Sequence, residues 1–229
     1  LTACGTKQDV LTSPTTDQVE VLSPAPLSPA TICVFSAHTT GAYAQAGLAV
    51  TVTPLSGAQA APDARTADAP LQITVMRPTT LVTQRDSGAP LLSVARLTKQ
   101  SLTYGATKSK PSTSSPADPA ILSITRDSAN SHGDVVRRFL QATGRACDAT
   151  PNAGFKEWKA AGGKAKVAKQ KTPIAALHPN VATGGQPWGW QPPGQWTALV
   201  ALLTRQGTLK GAMSPDTAFS NEFLAGQGS

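Results

Sequence analysis

Charge is scarce in this chain. Only 14% of the 229 residues are Asp, Glu, Lys or Arg, and 40% are hydrophobic, a balance that fits a globular chain with a real core rather than a disordered one. Long apolar runs are missing. No stretch approaches the roughly 18–20 unbroken apolar residues that cross a bilayer. Cysteine is nearly absent: Cys4, Cys33 and Cys147 make no CxxC and no Cys/His cluster with zinc spacing. An odd count with wide gaps argues against a disulfide framework, so Cys33 and Cys147 are expected to stand alone. Neither a P-loop nor a GxGxxG occurs, and "TGGQPWGW" lacks the lysine that a phosphate cradle wants. GxSxG is absent too. His38, His132 and His178 sit in loops or at helix edges, with no base–nucleophile pattern around them. No metal site, no cofactor and no catalytic residues are expected.

What charge there is leans basic, +7 net with a pI near 9.6. It is concentrated in "FKEWKAAGGKAKVAKQKTP", with Lys156, Lys159, Lys164, Lys166, Lys169 and Lys171. Only Phe155 and Trp158 accompany those lysines, so the segment reads as a solvated connection or helix face and not as a nucleic-acid surface. Trp158 is expected to pack its ring while the lysines face water.

Five short runs read as strands: Gln18–Leu22, Leu48–Leu55, Leu71–Met76, Leu91–Leu97 and Ala120–Thr125. They are rich in β-branched residues and apolar on both faces, as strands buried in a parallel sheet tend to be. Helical patterns lie between them. One runs through Tyr43 and Ala46 to a left-handed cap at Gly47, and another runs from beside Pro78 to Gly88. This alternation of strand and helix argues an α/β fold.

The second half is more helical. After Asp134 as N-cap, Val135, Val136, Phe139, Leu140 and Thr143 share one face. Pro193 opens a helix with Trp196, Leu199, Val200 and Leu203 inward and Gly207 past its end. Ser214 and Pro215 are expected to start a last helix. Trp188 and Trp190 read as packing the turn before Trp196. Between Tyr104 and Pro119, "YGATKSKPSTSSPADP" is too polar to offset its ordering entropy and reads as a flexible linker. "TSPTTDQ" near the start reads as a tether.

Five stretches in register carry a family likeness: "YAQAGLAVTVTPLSG", "LVTQRDSGAPLLSVARLTKQSLT", "DVVRRFLQATGRA", "QPWGWQPPGQWTALVALLTRQGTLKGA" and "DTAFSNEFL". Together they resemble the substrate-binding proteins of ABC transporters in the thiamine-precursor (hydroxymethylpyrimidine), sulfonate and nitrate group. "GWQPPGQW" and "AFSNEFL" are most similar to the hydroxymethylpyrimidine branch. The resemblance implies a periplasmic-binding-protein type II-like α/β fold, with a parallel or mixed sheet flanked by helices. It also implies an ABC permease as partner, a small-molecule ligand and a monomer.

Two departures from the family shape the expectation. Where the family has a second lobe, this chain has only the linker. The organisation expected is therefore a tether at 1–17, the first half of lobe one at 18–104, a linker at 105–118 and the second half of lobe one at 119–229. Essentially lobe one alone is present, and both halves should build one sheet. The second departure concerns the ligand. The family's first strand runs into a loop with an aromatic ring that stacks on the ligand; here Ser23 and Pro24 hold those positions, with Leu27 at an Asn. The third strand reads "ITVMRP", so Thr74 keeps a hydroxyl, Met76 follows, and Arg77 replaces an acid. Ser23, Pro24, Thr74, Met76 and Arg77 are the expected ligand-contacting residues, with stacking area lost and one charge reversed.

Three functions follow from the resemblance: an importer's substrate-binding component for a thiamine-pyrimidine-like molecule, degenerate in this copy; an interaction module that binds no ligand; and an enzyme of thiamine-pyrimidine synthesis. The enzymes carry a cysteine-rich motif that this chain lacks, so no enzymatic activity is expected. Finally, Leu1, Thr2, Ala3 and Cys4 resemble a bacterial lipobox. That likeness implies a signal-peptide remnant, a lipid on Cys4 and an extracytoplasmic protein anchored to the membrane.

Overall fold

The computed structural model describes residues 16–55, 70–98, 101–103, 119–163 and 185–224. The five apolar runs form β1 (Asp17–Pro24), β2 (Leu48–Leu55), β3 (Leu71–Met76), β4 (Leu91–Arg96) and β5 (Ile121–Thr125) of one sheet, in the order β2-β1-β3-β5-β4. β1 pairs parallel with β2 and β3, whereas β5 runs antiparallel between β3 and β4. The sheet is therefore mixed. The strand that follows the 104–118 segment is inserted inside the sheet that the preceding strands begin. The expected linker itself, residues 1–15 of the expected tether including Cys4, and Lys164, Lys166, Lys169, Lys171 and His178 lie outside the described residues, whereas Asp17 at the tether's end already belongs to β1.

Helices cover both faces: α1 (Ile32–Thr39), α2 (Ala42–Gln45), α3 (Pro78–Asp86), α4 (Arg126–Ser131), α5 (Gly133–Ala149), α6 (Phe155–Ala160) and α7 (Pro193–Arg205). Alternation along the strands splits the core in two. Val19, Val21, Ile73, Val75, Leu122 and Ile124 face α1 and α5. Met76, Leu81, Leu91, Ile121 and Trp196 pack on the other side, under α3 and α7.

The inward stripe of α5 is the one its spacing predicts, with Val136, Phe139, Ala142 and Thr143 fully buried. Tyr43 stacks on Phe139 at 5.2 Å between centroids, and its hydroxyl meets Thr143 Oγ1 at 2.8 Å. Burial pushes the Tyr43 phenol far above its ordinary value. Arg138 on the outer side of α5 ties it to the start of β1, donating to Asp17 Oδ2 at 2.5 Å and to the Ala46 carbonyl at 2.9 Å.

The structure corrects three expectations. Cys33 on α1 and Cys147 on α5 form a disulfide, with Cα atoms 4.9 Å apart. Helix packing brings together two cysteines separated by 114 residues, a proximity that their spacing cannot show. The segment after Ser214 makes a single 3-10 turn, Pro215–Thr217, then runs extended so that Phe219 bridges Ser93 on β4. Edge coverage of β4 outweighs its helical pattern. The helix through Tyr43 forms as expected, as the short α2 between Gly41 at φ 72° and the left-handed Gly47 at φ 69°. His132, one residue before Gly133, occupies the N-cap of α5, and Asp134 lies in the first turn. Trp158 is fully buried with Leu27, Ile32 and Phe35, while Lys156 and Lys159 are exposed.

Candidate functional site

Parallel strands of an open α/β sheet offer ligands the crevice beyond their carboxyl ends, at the point where strand order reverses. Here that point lies between β1 and β3, since β1 connects outward to β2 while β3 lies on its other side. The carboxyl ends of β1, β3 and β4 and the start of β5 form this edge.

Each strand end is fixed by local chemistry. After β1, Ala25 N–H donates to the Leu55 carbonyl at 2.9 Å, and the Ala25–Pro26 bond is cis. Leu27 then buries itself, and the Ser28 carbonyl accepts from Trp158 Nε1 at 3.2 Å. After β3, Arg77 is extended at the N-cap of α3 and Pro78 takes the first turn, where its missing N–H costs nothing. At β4 the chain leaves the sheet. Leu97 N–H donates to the Ala120 carbonyl at 2.8 Å, and Ala120 N–H donates to Thr98 Oγ1 at 3.2 Å. Exit and return are thus paired side by side on the same edge.

The five expected ligand contacts are all near this edge, but they differ in access. Pro24 and Arg77 are half-buried. Ser23 and Thr74 are 0% exposed, and neither Ser23 Oγ nor Thr74 Oγ1 has a hydrogen-bond partner. Register places Thr74 beside Leu22, the neighbour of Ser23, so alternation points the two hydroxyls to opposite faces. Met76 is 1% exposed and packs in the core with Leu81 and Trp196.

The histidines take structural places. His38 Nδ1 lies 2.8 Å from Glu157 Oε1, and His132 is half-buried with its Nδ1 2.9 Å from Ser131 Oγ. Among the described residues no group of three His, Cys, Asp or Glu side chains could hold a metal, and no helix is long and apolar enough to cross a membrane.

Two of the stretches that carry the family likeness lock onto each other. Gln191 is fully buried; its Oε1 accepts from Ser93 Oγ at 2.5 Å, and its Nε2 donates to the carbonyls of Ser93 and Ser220 at 3.2 Å. Asn221 returns two bonds to the Gln191 backbone, at 3.1 and 3.0 Å. Trp196 stacks on Phe219 at 5.6 Å. The "GWQPPGQW" and "AFSNEFL" stretches therefore hold β4 in place. Gly189 is needed there on two counts: its φ is 86°, and a Cβ would sit 3.0 Å from Ala95 Cβ. Its carbonyl accepts from Arg96 N–H at 2.8 Å.

Sequence reasoning passed over one residue of this edge. Arg96 ends β4, half-buried, with its guanidinium donating to Gln195 Oε1 at 3.3 Å. Burial pulls its affinity for the proton below the ordinary arginine value. The available signal was a lone charge closing the apolar run "LLSVA".

Comparison with known proteins gives the fold. The family described as NMT1/THI5 like matches residues 28–120. A search of curated proteins finds no match. The structure resembles a Bordetella bronchiseptica RB50 protein at TM-score 0.54 and 10% identity, over 90% of this chain and 95% of that one. It resembles a Candida albicans gene product, described as exhibiting the generic periplasmic binding protein structural fold, at TM-score 0.56 and 9% identity, over 89% and 96%. A third likeness, at TM-score 0.51 and 8% identity over 90% and 97%, is to a ligand binding component of an ABC-type import system from Staphylococcus aureus, solved with zinc bound. The fold is that of the periplasmic binding proteins.

Proposed function

We propose that this chain is the substrate-binding component of an ABC importer, working outside the cytoplasm without catalytic activity of its own. Its ligand is a small heteroaromatic molecule of the thiamine-pyrimidine type, and its partner is an ABC permease. It acts as a monomer, held at the membrane by a lipid on Cys4. One observation carries the reading: the carboxyl edge of the sheet combines a strand-order reversal with a paired chain exit and return. The NMT1/THI5-like match and the importer component among the structural neighbours support it. The Cys33–Cys147 disulfide supports an oxidising, extracytoplasmic setting.

A second reading, an interaction module that binds no ligand, draws on the sealing of Ser23, Thr74 and Met76. Thermal unfolding with hydroxymethylpyrimidine and with thiamine separates the two. A ligand at about 100 times its Kd stabilises the fold by roughly 2.7 kcal/mol. A rise in Tm supports the receptor, and no shift at millimolar ligand leaves the interaction module. Mass spectrometry of protein from the producing cell should find the lipid on Cys4; a free thiol there refutes the anchor.

A further inference from the structure

The hydrogen-bonding of β4 to β5 slips once. Ser93 pairs with Ser123 and Ala95 with Leu122, so Val94 is an extra, bulged residue. Val94 and Ala95 both enter the core on the α1–α5 side. Strict alternation would then have sent Arg96 into that same core. The bulge turns it over, in register with Ile121 on the α7 side. There it meets Gln195 in the first turn of α7.

Among the described residues no carboxylate pairs with Arg96, and desolvation alone accounts for its displaced proton affinity. Its Nε is buried with no partner. Gln195 Oε1 is shared between Arg96 at 3.3 Å and Leu102 N–H at 3.4 Å, both long bonds, and Gln195 Nε2 has no acceptor among the described residues. A half-buried guanidinium held by one loose neutral bond is costly unless an anion completes it. The α7 N-terminus beside it carries no side-chain cap, which adds to the positive potential.

We propose that Arg96 and Gln195 form an oxyanion subsite at the carboxyl edge, taking a phosphate, sulfonate or carboxylate group of the bound molecule. The inference rests on the receptor reading and narrows its ligand to one that carries an anionic group. Hydrogen bonds to ionised groups are shorter and about twice as strong as neutral ones, so the anion dominates selection at this end of the ligand.

The test is titration calorimetry on the full chain at fixed ionic strength. The probes are hydroxymethylpyrimidine, its monophosphate, inorganic phosphate, methanesulfonate and acetate. The monophosphate should bind about tenfold or more tightly than the neutral pyrimidine. Arg96→Gln should abolish that preference, and Arg96→Lys should restore part of it. Arg205→Gln, an exposed arginine at the other end of α7, should change nothing. If Arg96→Gln does not fold, Gln195→Ala reports instead.

A preference retained in these variants overturns the subsite. So does neutral pyrimidine binding with no preference for the anion, and in that case the receptor reading stands. Anion binding that depends on Arg96, with no pyrimidine binding, supports the subsite and removes the pyrimidine. The three simple anions then identify which group it takes. Binding of no probe at all overturns both.

Discussion

Removing the Cys33–Cys147 disulfide should weaken this protein more than any single surface change. The bridge closes a segment of 114 residues that includes the whole 104–118 connection. In the chain-entropy picture a loop of that size contributes about 4.7 kcal/mol at 25 °C by restricting the unfolded chain. Measured values for native bridges run from about 2 to 5 kcal/mol, so about 3–4 kcal/mol is the working figure. Both sulfurs are buried between α1 and α5 and should leave small apolar gaps when replaced by alanine. At roughly 2–4 °C per kcal/mol for a chain of this size, Tm should fall by about 10 °C. The assay is urea denaturation and calorimetry of the double variant Cys33→Ala/Cys147→Ala, beside the native chain with and without reductant. Reductant should lower the native chain toward the variant and leave the variant unmoved. A second readout uses the position of residues 104–118 between the two cysteines. Protease cleavage within 104–118 should leave the two pieces joined on a non-reducing gel and separate on a reducing one. Equal stability of variant and native chain, or pieces that part without reductant, would refute the bridge.

Three further outcomes follow from the packing and hydrogen-bond geometry. Gly154→Ala should cost about 3 kcal/mol or more, because its Cβ would stand 2.2 Å from the Phe35 carbonyl carbon and Ser36 nitrogen on α1; denaturant titration reads the loss. Gln191→Ala should cost about 2–3 kcal/mol by taking the partner from the buried Ser93 hydroxyl and the half-buried Ser220 carbonyl, and should raise hydrogen exchange along β4. Asp86 accepts from the Lys210 and Gly211 backbone N–H groups at 2.7 and 3.0 Å, which hold its carboxyl below the usual range. Its contribution is fully present above the unfolded carboxylate value near about 3.9 and is lost as pH falls through the lower folded value. Asp86→Asn should therefore flatten the acid limb of the stability–pH curve below about pH 4, and an unchanged limb would remove that role.

The strands were legible because β-branched apolar runs bounded by Gly and Pro leave little choice of structure, and β2 and β3 fall where the runs predict. Direction was not legible. "AILSIT" is apolar on both faces, as a buried strand of either polarity would be, so nothing in it marks β5 as antiparallel. The disulfide was hidden for a related reason, since spacing along the chain says nothing about helices that pack side by side. The turn after Ser214 carries helix-start residues, yet the need to cover the β4 edge draws Phe219 into a bridge. At the candidate site, the positions of Pro24 and Arg77 on the sheet edge could be read from the strand ends. The burial of Ser23, Thr74 and Met76 could not, because it depends on what α1, α3 and α7 bring against the sheet. Arg96 escaped because its orientation depends on one bulged residue, Val94, and a bulge leaves no sharp mark in an apolar run.

The central claim is that the carboxyl edge of the sheet receives the ligand. Crystals grown with saturating hydroxymethylpyrimidine monophosphate test it most directly, through the difference density they show. The account predicts ligand density beyond the ends of β1, β3 and β4, between Pro24 and Arg77 on one side and Arg96 on the other. Density at any other surface, or an empty edge in a protein that calorimetry shows to be saturated, would contradict it.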